Sequence, residues 1–410
     1  DVSNRQVLTV CALMGTDDLR NAVNEFNAHS DVYQAEIIDY FDMYGGDYNS
    51  RFTADISAGK HADILYLLFC PVESYGKNGL LANLYEFMDS DPDFDRGELL
   101  DGMLKAYEQD GSLYKAVPGF RVDTFAGKTS VVGSHQGITT DEFIELMKKY
   151  PDNPFGASSS DMFGTLIEYG YKSYIDGDEC RFDSDEFLKL LEYCGSLPKS
   201  VSGENDDADI MSMLRNGEMP FYGLSIDNFR NIREMEQGIF GEPVTFMGYP
   251  SVGGNGSVAR SWTIQFSIFA DSENKDGAWE FIKYFYSEEY QDGYFCDPLK
   301  NGGYLPVRVS TLEKLAEEAK QPVKGIDSGE LSEPYFYTAN GEKIPIGVNT
   351  DEDNQKIYDL LNGAVFTDPN YEIINIIKEE AGAYFSGQKS AKEAAEIIQN
   401  RVQNYLNENR

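Results

Sequence analysis

The sequence is poor in the residues that most often perform chemistry. It has three histidines, His29, His61 and His135, and contains no HExxH, GxSxG or phosphate-loop lysine pattern, so metal-dependent hydrolysis and triad catalysis lose their usual carriers. Its five cysteines, Cys11, Cys70, Cys180, Cys194 and Cys296, form no CxxC pair and no metal spacing, and an odd count leaves a free thiol unless chains crosslink. Cys180 and Cys194 flank one predicted helix and could pair, although burial as small apolar residues is the simpler reading. Basic residues are scarce. Against 70 Asp and Glu stand 34 Lys and Arg, and the resulting charge of −36 repels a phosphate backbone and anionic lipid, which argues against nucleic acid as a partner. Long apolar runs are also missing: the longest, Ala62 to Val72, is interrupted by Asp63 and falls far short of the roughly 20 residues that span a bilayer. The chain opens at Asp1 with neither Met nor an apolar leader, and so reads as a mature or trimmed form.

What is present is ordinary globular material. A length of 410 residues with 41% hydrophobic content implies two to three domains with sizeable cores. Val7 to Leu13 is a strand-length apolar run, and Asp17 to Ala28 carries Leu19, Val23 and Phe26 at helical spacing behind a Thr16-Asp17 start signal. A strand at Ala35 to Tyr40, a helix near Ser50 to Gly59 and a strand at Asp63 to Leu68 follow. This β-α-β-α-β order specifies a mostly parallel sheet flanked by helices, and such sheets take ligands beyond their C-terminal strand ends. Further on, Thr139 to Glu142, Asp183 to Glu186 and Ser390 to Glu393 are helix-start signals, and Thr350 to Asp353 places negative charge at a helix N-terminus. Phe221-Tyr-Gly and Val244 to Tyr249 read as short strands. Thr263 to Ala270 reads as a strand, followed by a polar turn and a helix from Gly277. Gly203 to Asp207 and Gly325 to Tyr335 read as polar connections. Gly253-Gly-Asn-Gly256 lacks a following helix and reads as a turn.

Some segments invite chemistry that simpler readings explain. Asp89 to Gly97 offers alternating carboxylates, as calcium loops do, but Pro92, Phe94 and Leu100 break the pattern, which leaves a solvated loop. His61 reads as a surface turn residue. No metal or cofactor is expected.

Three segments carry a family likeness. The turn Ser272-Glu-Asn-Lys275 followed by Ala278-Trp-Glu-Phe-Ile-Lys283, the segment Asn301-Gly-Gly-Tyr-Leu-Pro-Val-Arg308, and the C-terminal run from Ile373 through Ser390 into Ala394 to Arg401 resemble the extracellular solute-binding proteins, maltose-binding-protein-like, that deliver sugars to ABC importers. The resemblance implies an α/β, periplasmic-binding-protein-like fold of two lobes joined by hinge crossings. Breaks at Val117-Pro-Gly-Phe120, Arg260-Ser-Trp262 and Asn301 to Pro306 then assign residues 1–117 with 263–300 to an N-terminal lobe and 118–262 with 301–410 to a C-terminal lobe. It further implies a binding protein rather than an enzyme, monomeric, exported, tethered through an N-terminal lipid, and handing an oligosaccharide captured between its lobes to permease subunits. Polyamine, peptide or amino-acid ligands remain open, as does glycoside hydrolysis, which needs only two suitably spaced carboxylates.

A sugar site wants flat rings beside carboxylates, amides and Arg. With 27 Tyr and 25 Phe, most rings must be core, so position selects the candidates. Near the first strand ends lie Met14, Asp42 with Tyr44, and Tyr66 with Phe69. Phe120, Arg121 and Asp123 follow the first crossing, and Arg260 and Trp262 lie at the second. Ser158 to Asp161 opens a helix, with Asp161 in its first turn. Tyr222, Ser225 and Asp227 follow Asn216-Gly-Glu, a stretch that resembles the family's strand and ligand-facing loop. Arg308 closes the Asn301 segment.

Overall fold

A computed structural model describes residues 4–153, 155–200, 207–254, 256–261, 263–324 and 331–408. Trp262, Asn255 and most of the two predicted polar connections lie outside these residues. The chain forms two compact units, Asp1–Arg121 with Ser261–Leu315 and Val122–Arg260 with Ala316–Arg410. The strands of the two main sheets are, in chain order, β1 (Gln6–Ala12), β2 (Tyr33–Asp39), β3 (Ile64–Tyr66), β4 (Gly119–Lys128), β5 (Tyr222–Ile226), β6 (Val244–Phe246), β7 (Val258–Arg260), β8 (Phe266–Ile268) and β9 (Val365–Phe366). The helices used below are α1 (Asp17–His29), α2 (Ser159–Gly170), α3 (Lys275–Tyr286), α4 (Tyr371–Phe385) and α5 (Ala391–Glu408).

In the first unit the sheet order is β8-β3-β1-β2, with β1 parallel to β2 and β3 and β8 antiparallel at the edge. Leu8 and Val10 on β1 are fully buried, and α1 lays Leu19, Ala22, Val23 and Phe26 into the core, one helical stripe. Thr16 caps α1 by accepting the Leu19 N–H at 3.1 Å. The predicted strand Thr263 to Ala270 shortens to β8, and α3 starts at Lys275 rather than Gly277. A Cβ on Gly277 would meet Tyr33 at 2.6 Å and Leu8 at 2.7 Å, so this glycine lets α3 lie directly on the sheet. The turn before it is built by Asp63. One carboxylate oxygen accepts the N–H and hydroxyl of Thr9, each at 2.8 Å; the other accepts Ser272 Oγ at 2.7 Å and Asn274 Nδ2 at 3.1 Å.

The Asn301 segment is organised by its own first residue. Asn301 Nδ2 donates to the carbonyls of Phe295 and Tyr304, and its Oδ1 accepts the Gly303 and Tyr304 N–H groups. Gly303 supplies the left-handed φ of 88° that this turn requires.

Two expectations change here. His61 is not a surface turn residue: its side chain is 7% exposed, stacks on Phe269 at 4.8 Å and binds Asp271 at 2.7 Å, because the turn folds over the end of β3. The stretch Asp89 to Gly97 is not merely solvated: Asp91 turns inward and accepts Trp279 Nε1 at 2.8 Å and Lys283 Nζ at 2.7 Å, tying it to α3.

In the second unit the sheet is mixed. Its order is β6-β4-β7-β9, with β5 also on β4; β5 and β6 run antiparallel to β4, whereas β7 and β9 run parallel to each other. A core of Phe143, Phe163, Phe187, Leu190 and Ile167 forms beneath the helices. There α4 buries Ile373, Ile374, Ile377 and Ala381, and α5 buries Ala394, Ala395, Ile398 and Val402. Buried Glu380 is held by Lys389 and by Arg401 at 2.6 Å, so the C-terminal segment closes on itself electrostatically. Capping boxes form at Thr139 and Thr350, and Ser390 with Glu393 completes the same exchange at α5. All five cysteines are free thiols. Cys194 is fully buried, and Cys180 Sγ faces Gln399.

Candidate functional site

Each unit carries its own set of candidate groups. In the first, the register opposes Ala12 to Asp39 on one side and to Tyr66 on the other, so three parallel strands end in one row. The chain leaving β1 passes half-buried Met14 and reaches Gly15, whose N–H donates to Asp39 at 3.0 Å. A Cβ on Gly15 would lie 2.4 Å from that carboxylate oxygen. Arg20 then bridges Asp39 and Asp42, 3.1 Å from each, while Thr16 and Tyr66 share a hydroxyl contact at 3.1 Å. Burial pushes the Tyr66 phenol up, with Asp18 and Tyr304 adding to the rise and the Thr16 bond opposing it.

Two exposed rings follow the row's residues closely in the chain. Tyr44 is 38% exposed with Arg51 above it, and Phe69 is 72% exposed at a φ of 62°. Positive φ is costly for a bulky residue and is held only when its surroundings impose it. Here the Leu67 carbonyl accepts the Cys70 N–H at 3.0 Å and closes the turn that carries the ring. Phe120 is fully buried where Leu305 pairs with it, and Arg121 is half-buried. Arg308 joins a different group, 2.6 Å from Glu98 and donating to the Tyr286 carbonyl at 3.2 Å.

In the second unit the β4–β5 register sets Asp123 opposite Ser225, and the Ser225 hydroxyl donates to the Asp123 carboxylate. Half-buried Tyr222 opens β5, opposite Ala126. Asp227 follows the strand, its N–H held by Asn231 at 2.9 Å. Asp161 serves as a cap partner, accepting the Ser158 hydroxyl at 2.6 Å.

Arg260 is 1% exposed, and its guanidinium donates to the Glu168 carbonyl at 2.6 Å and approaches the Glu168 carboxylate at 3.4 Å. It lies 4.1 Å over Tyr169, which stacks on Tyr249 at 4.0 Å; Phe125 follows at 4.3 Å. This pile of Arg, Tyr, Tyr and Phe runs from the second predicted crossing into the core. Burial drives the Tyr249 phenol far up, with Tyr169 and Asp123 adding, so it remains a neutral hydroxyl at ordinary pH. Beside the pile, a cavity of about 370 Å³ is lined by Asp161, Thr165, Glu168 and Lys378.

Arg20, Asp39 and Tyr304 in the first unit, and Glu168, Tyr169 and Tyr249 in the second, were not singled out from sequence. The strand-end rule could have found Asp39, which ends β2 one residue before the expected end at Tyr40. Nothing local marks Glu168 and Tyr169, which meet Arg260 across 92 residues. None of the three histidines belongs to either set, and among the described residues no group of three or more His, Cys, Asp or Glu could hold a metal ion. Carboxylates, hydroxyls, guanidinium groups and flat rings suit a hydroxyl-rich molecule.

The fold has known counterparts. The sugar-binding protein MalE from Xanthomonas citri is similar at a TM-score of 0.62 and 16% identity, covering 98% of each chain. An ABC substrate-binding protein from Listeria monocytogenes in complex with cycloalternan is similar at 0.57 and 15%, covering 98% of this chain and 99% of that one. The cyclic alpha-maltosyl-1,6-maltose binding protein from Arthrobacter globiformis is similar at 0.57 and 14%, covering 98% and 100%. At such identities these matches establish the fold, that of two-lobed periplasmic binding proteins. No curated protein sequence matches the chain. Among the described residues no helix is long and apolar enough to cross a membrane. The sequence profile of the bacterial extracellular solute-binding proteins matches residues 21–323, well over half of the chain, and this protein belongs to that family.

Proposed function

We propose that the protein captures a carbohydrate outside the cell and delivers it to the permease subunits of an ABC importer, acting as a monomeric binder with no catalytic step. Each compact unit serves as one lobe, and an N-terminal lipid holds the protein at the cell surface. Three structurally similar proteins support the ligand class, since their descriptions name sugar, cycloalternan and a cyclic maltosyl-maltose. The observation that carries the reading is Phe69, a strained and largely exposed ring on the turn that leaves β3 three residues after Tyr66, whose hydroxyl meets Thr16 in the row that also holds Asp39 and Asp42. A sugar ring has an apolar C–H face and a hydroxyl rim, and such a row answers both.

Phe69→Ala is expected to weaken saccharide binding by about 1–3 kcal/mol, read by calorimetric titration, with the melting temperature little changed because the ring is mostly in solvent. Unchanged affinity would remove Phe69 from the site. The ligand class itself is tested by thermal shift against mono- and oligosaccharides, amino acids, peptides and polyamines, since a ligand at 100 times its Kd adds about 2.7 kcal/mol. A shift confined to polyamines or peptides would overturn the carbohydrate reading. Release of reducing ends from any oligosaccharide would replace binding by hydrolysis.

A further inference from the structure

The segment that follows β5 is built almost entirely by side chains. The N–H groups of Asp227 and Asn228 both donate to Asn231 Oδ1, at 2.9 and 3.0 Å, and among the described residues these amides have no other acceptor. Asn228 Nδ2 returns a bond to the Asp227 carboxylate at 2.7 Å, so the orientation of that carboxylate depends on the same turn. Asn231 then uses its donor end, Nδ2 to Glu234 Oε2 at 2.9 Å.

The remainder of the segment is anchored elsewhere. Phe229 and Ile232 are buried, and Asn349 donates to the Phe229 carbonyl at 2.7 Å. Arg230 donates to the carbonyls of Glu318, Ala319 and Gln321 at 2.7–3.1 Å. Glu234 opens a π-helix, Glu234–Ile239, an uncommon form that persists only where its surroundings support it. Support is visible: Arg215 donates to the carbonyls of Gln237 and Gly238, and a Cβ on Gly238 would meet Phe336 at 2.6 Å. Glu234 is therefore held on a fixed element, and Asn231 transmits that position to residues 227 and 228.

We infer that Asn231, oriented by Glu234, is a positioning residue that sets the Ser225–Asn228 segment for ligand contact; this rests on the proposed carbohydrate function and on taking the sequence candidates Ser225 and Asp227 as saccharide contacts. The role demands an amide. Its acceptor end must face two N–H groups while its donor end faces a carboxylate, so Asp at this position would oppose Glu234 and Ala would leave both amides without an acceptor.

Hydrogen exchange of the unliganded protein tests the positioning step without a ligand. In Asn231→Ala and in Glu234→Ala the amides of Asp227 and Asn228 are expected to exchange at least about tenfold faster, with the rest of β5 unchanged, whereas Glu234→Gln, which keeps the acceptor, should stay near wild type. Unchanged exchange in Asn231→Ala would overturn the inference whatever the ligand. Titration with maltotriose tests the consequence: Asn231→Ala should bind about tenfold or more weakly, and Asp227→Ala/Asn231→Ala no worse than the weaker single variant. Faster exchange with wild-type affinity, while Asp227→Ala alone binds weakly, would reduce Asn231 to a structural role and overturn the inference with the site intact. Wild-type binding in Asp227→Ala would instead remove the segment from the site, and the inference with it, whereas a parent that binds no maltotriose while the exchange result holds would overturn the saccharide reading on which the ligand step rests.

Discussion

Gly256→Ala is expected to lower stability by about 3–5 kcal/mol and the melting temperature by roughly 10 °C, measured by thermal and urea unfolding. A Cβ at this position would lie 1.8 Å from the Tyr249 carbonyl oxygen and 2.8 Å from its nitrogen, and the obstruction is backbone that no rotamer change can clear. The Tyr249 N–H donates to the Gly256 carbonyl at 3.0 Å, so two chain segments cross at contact distance. A Cβ on the neighbouring Gly248, at a φ of 65°, would likewise lie 2.8 Å from the Gly256 carbonyl carbon. The crossing sets the backbone that carries Tyr249, the ring stacked between Tyr169 and Phe125, so the pile loses its support along with the crossing. A Gly256→Ala variant that unfolds with the parent would show that the two segments do not approach so closely.

Asp63→Ala should be nearly as damaging, about 3–4 kcal/mol, because four donors lose their acceptor at once: the Thr9 N–H and hydroxyl, Ser272 Oγ and Asn274 Nδ2. Burial alone would push the Asp63 carboxyl up, but the bonds from Thr9, Ser272 and Asn274 outweigh it and hold the pKa below its ordinary value. A depressed folded pKa contributes stability that is fully present above the unfolded value of about 4 and is lost as pH falls through the lower folded value. The parent should therefore lose stability below about pH 4 more steeply than Asp63→Asn, which has no carboxylate to protonate at that position. Equal acid slopes in the two proteins would show that Asp63 does not carry this linkage.

The same residues show why the family was legible and the site was not. Ser272 and Asn274 serve Asp63, Gly277 serves the contact of α3 with Leu8 and Tyr33, Asn301 folds its own turn, and Glu380 locks the C-terminal segment. The segments that resemble the family thus encode scaffold. Asn301 and Glu380 act within their own segments, whereas Ser272, Asn274 and Gly277 meet Asp63, Leu8 and Tyr33 far along the chain, so the wording of these segments marks the family while their partners appear only in the fold. Gly256 is of the second kind: the sequence marks a turn, and only the passage of Tyr249 beside it makes glycine obligatory. His61 likewise reads as a turn residue until Phe269 and Asp271, far along the chain, close over it.

By itself the sequence determined the α/β alternation, the strand positions of the first sheet, the helix starts at Thr16, Thr139, Thr350 and Ser390, and the likeness to solute-binding proteins. Each depends on periodicity or on a cap within a few residues, interactions whose geometry the local chain dictates. The tertiary structure decided the mixed pairing of the second sheet and the company each candidate residue keeps. Arg20 binds Asp39 because β1 and β2 end in register, and Arg260 meets Glu168 across 92 residues of chain. Such meetings are set by how whole elements pack, which no local spacing specifies.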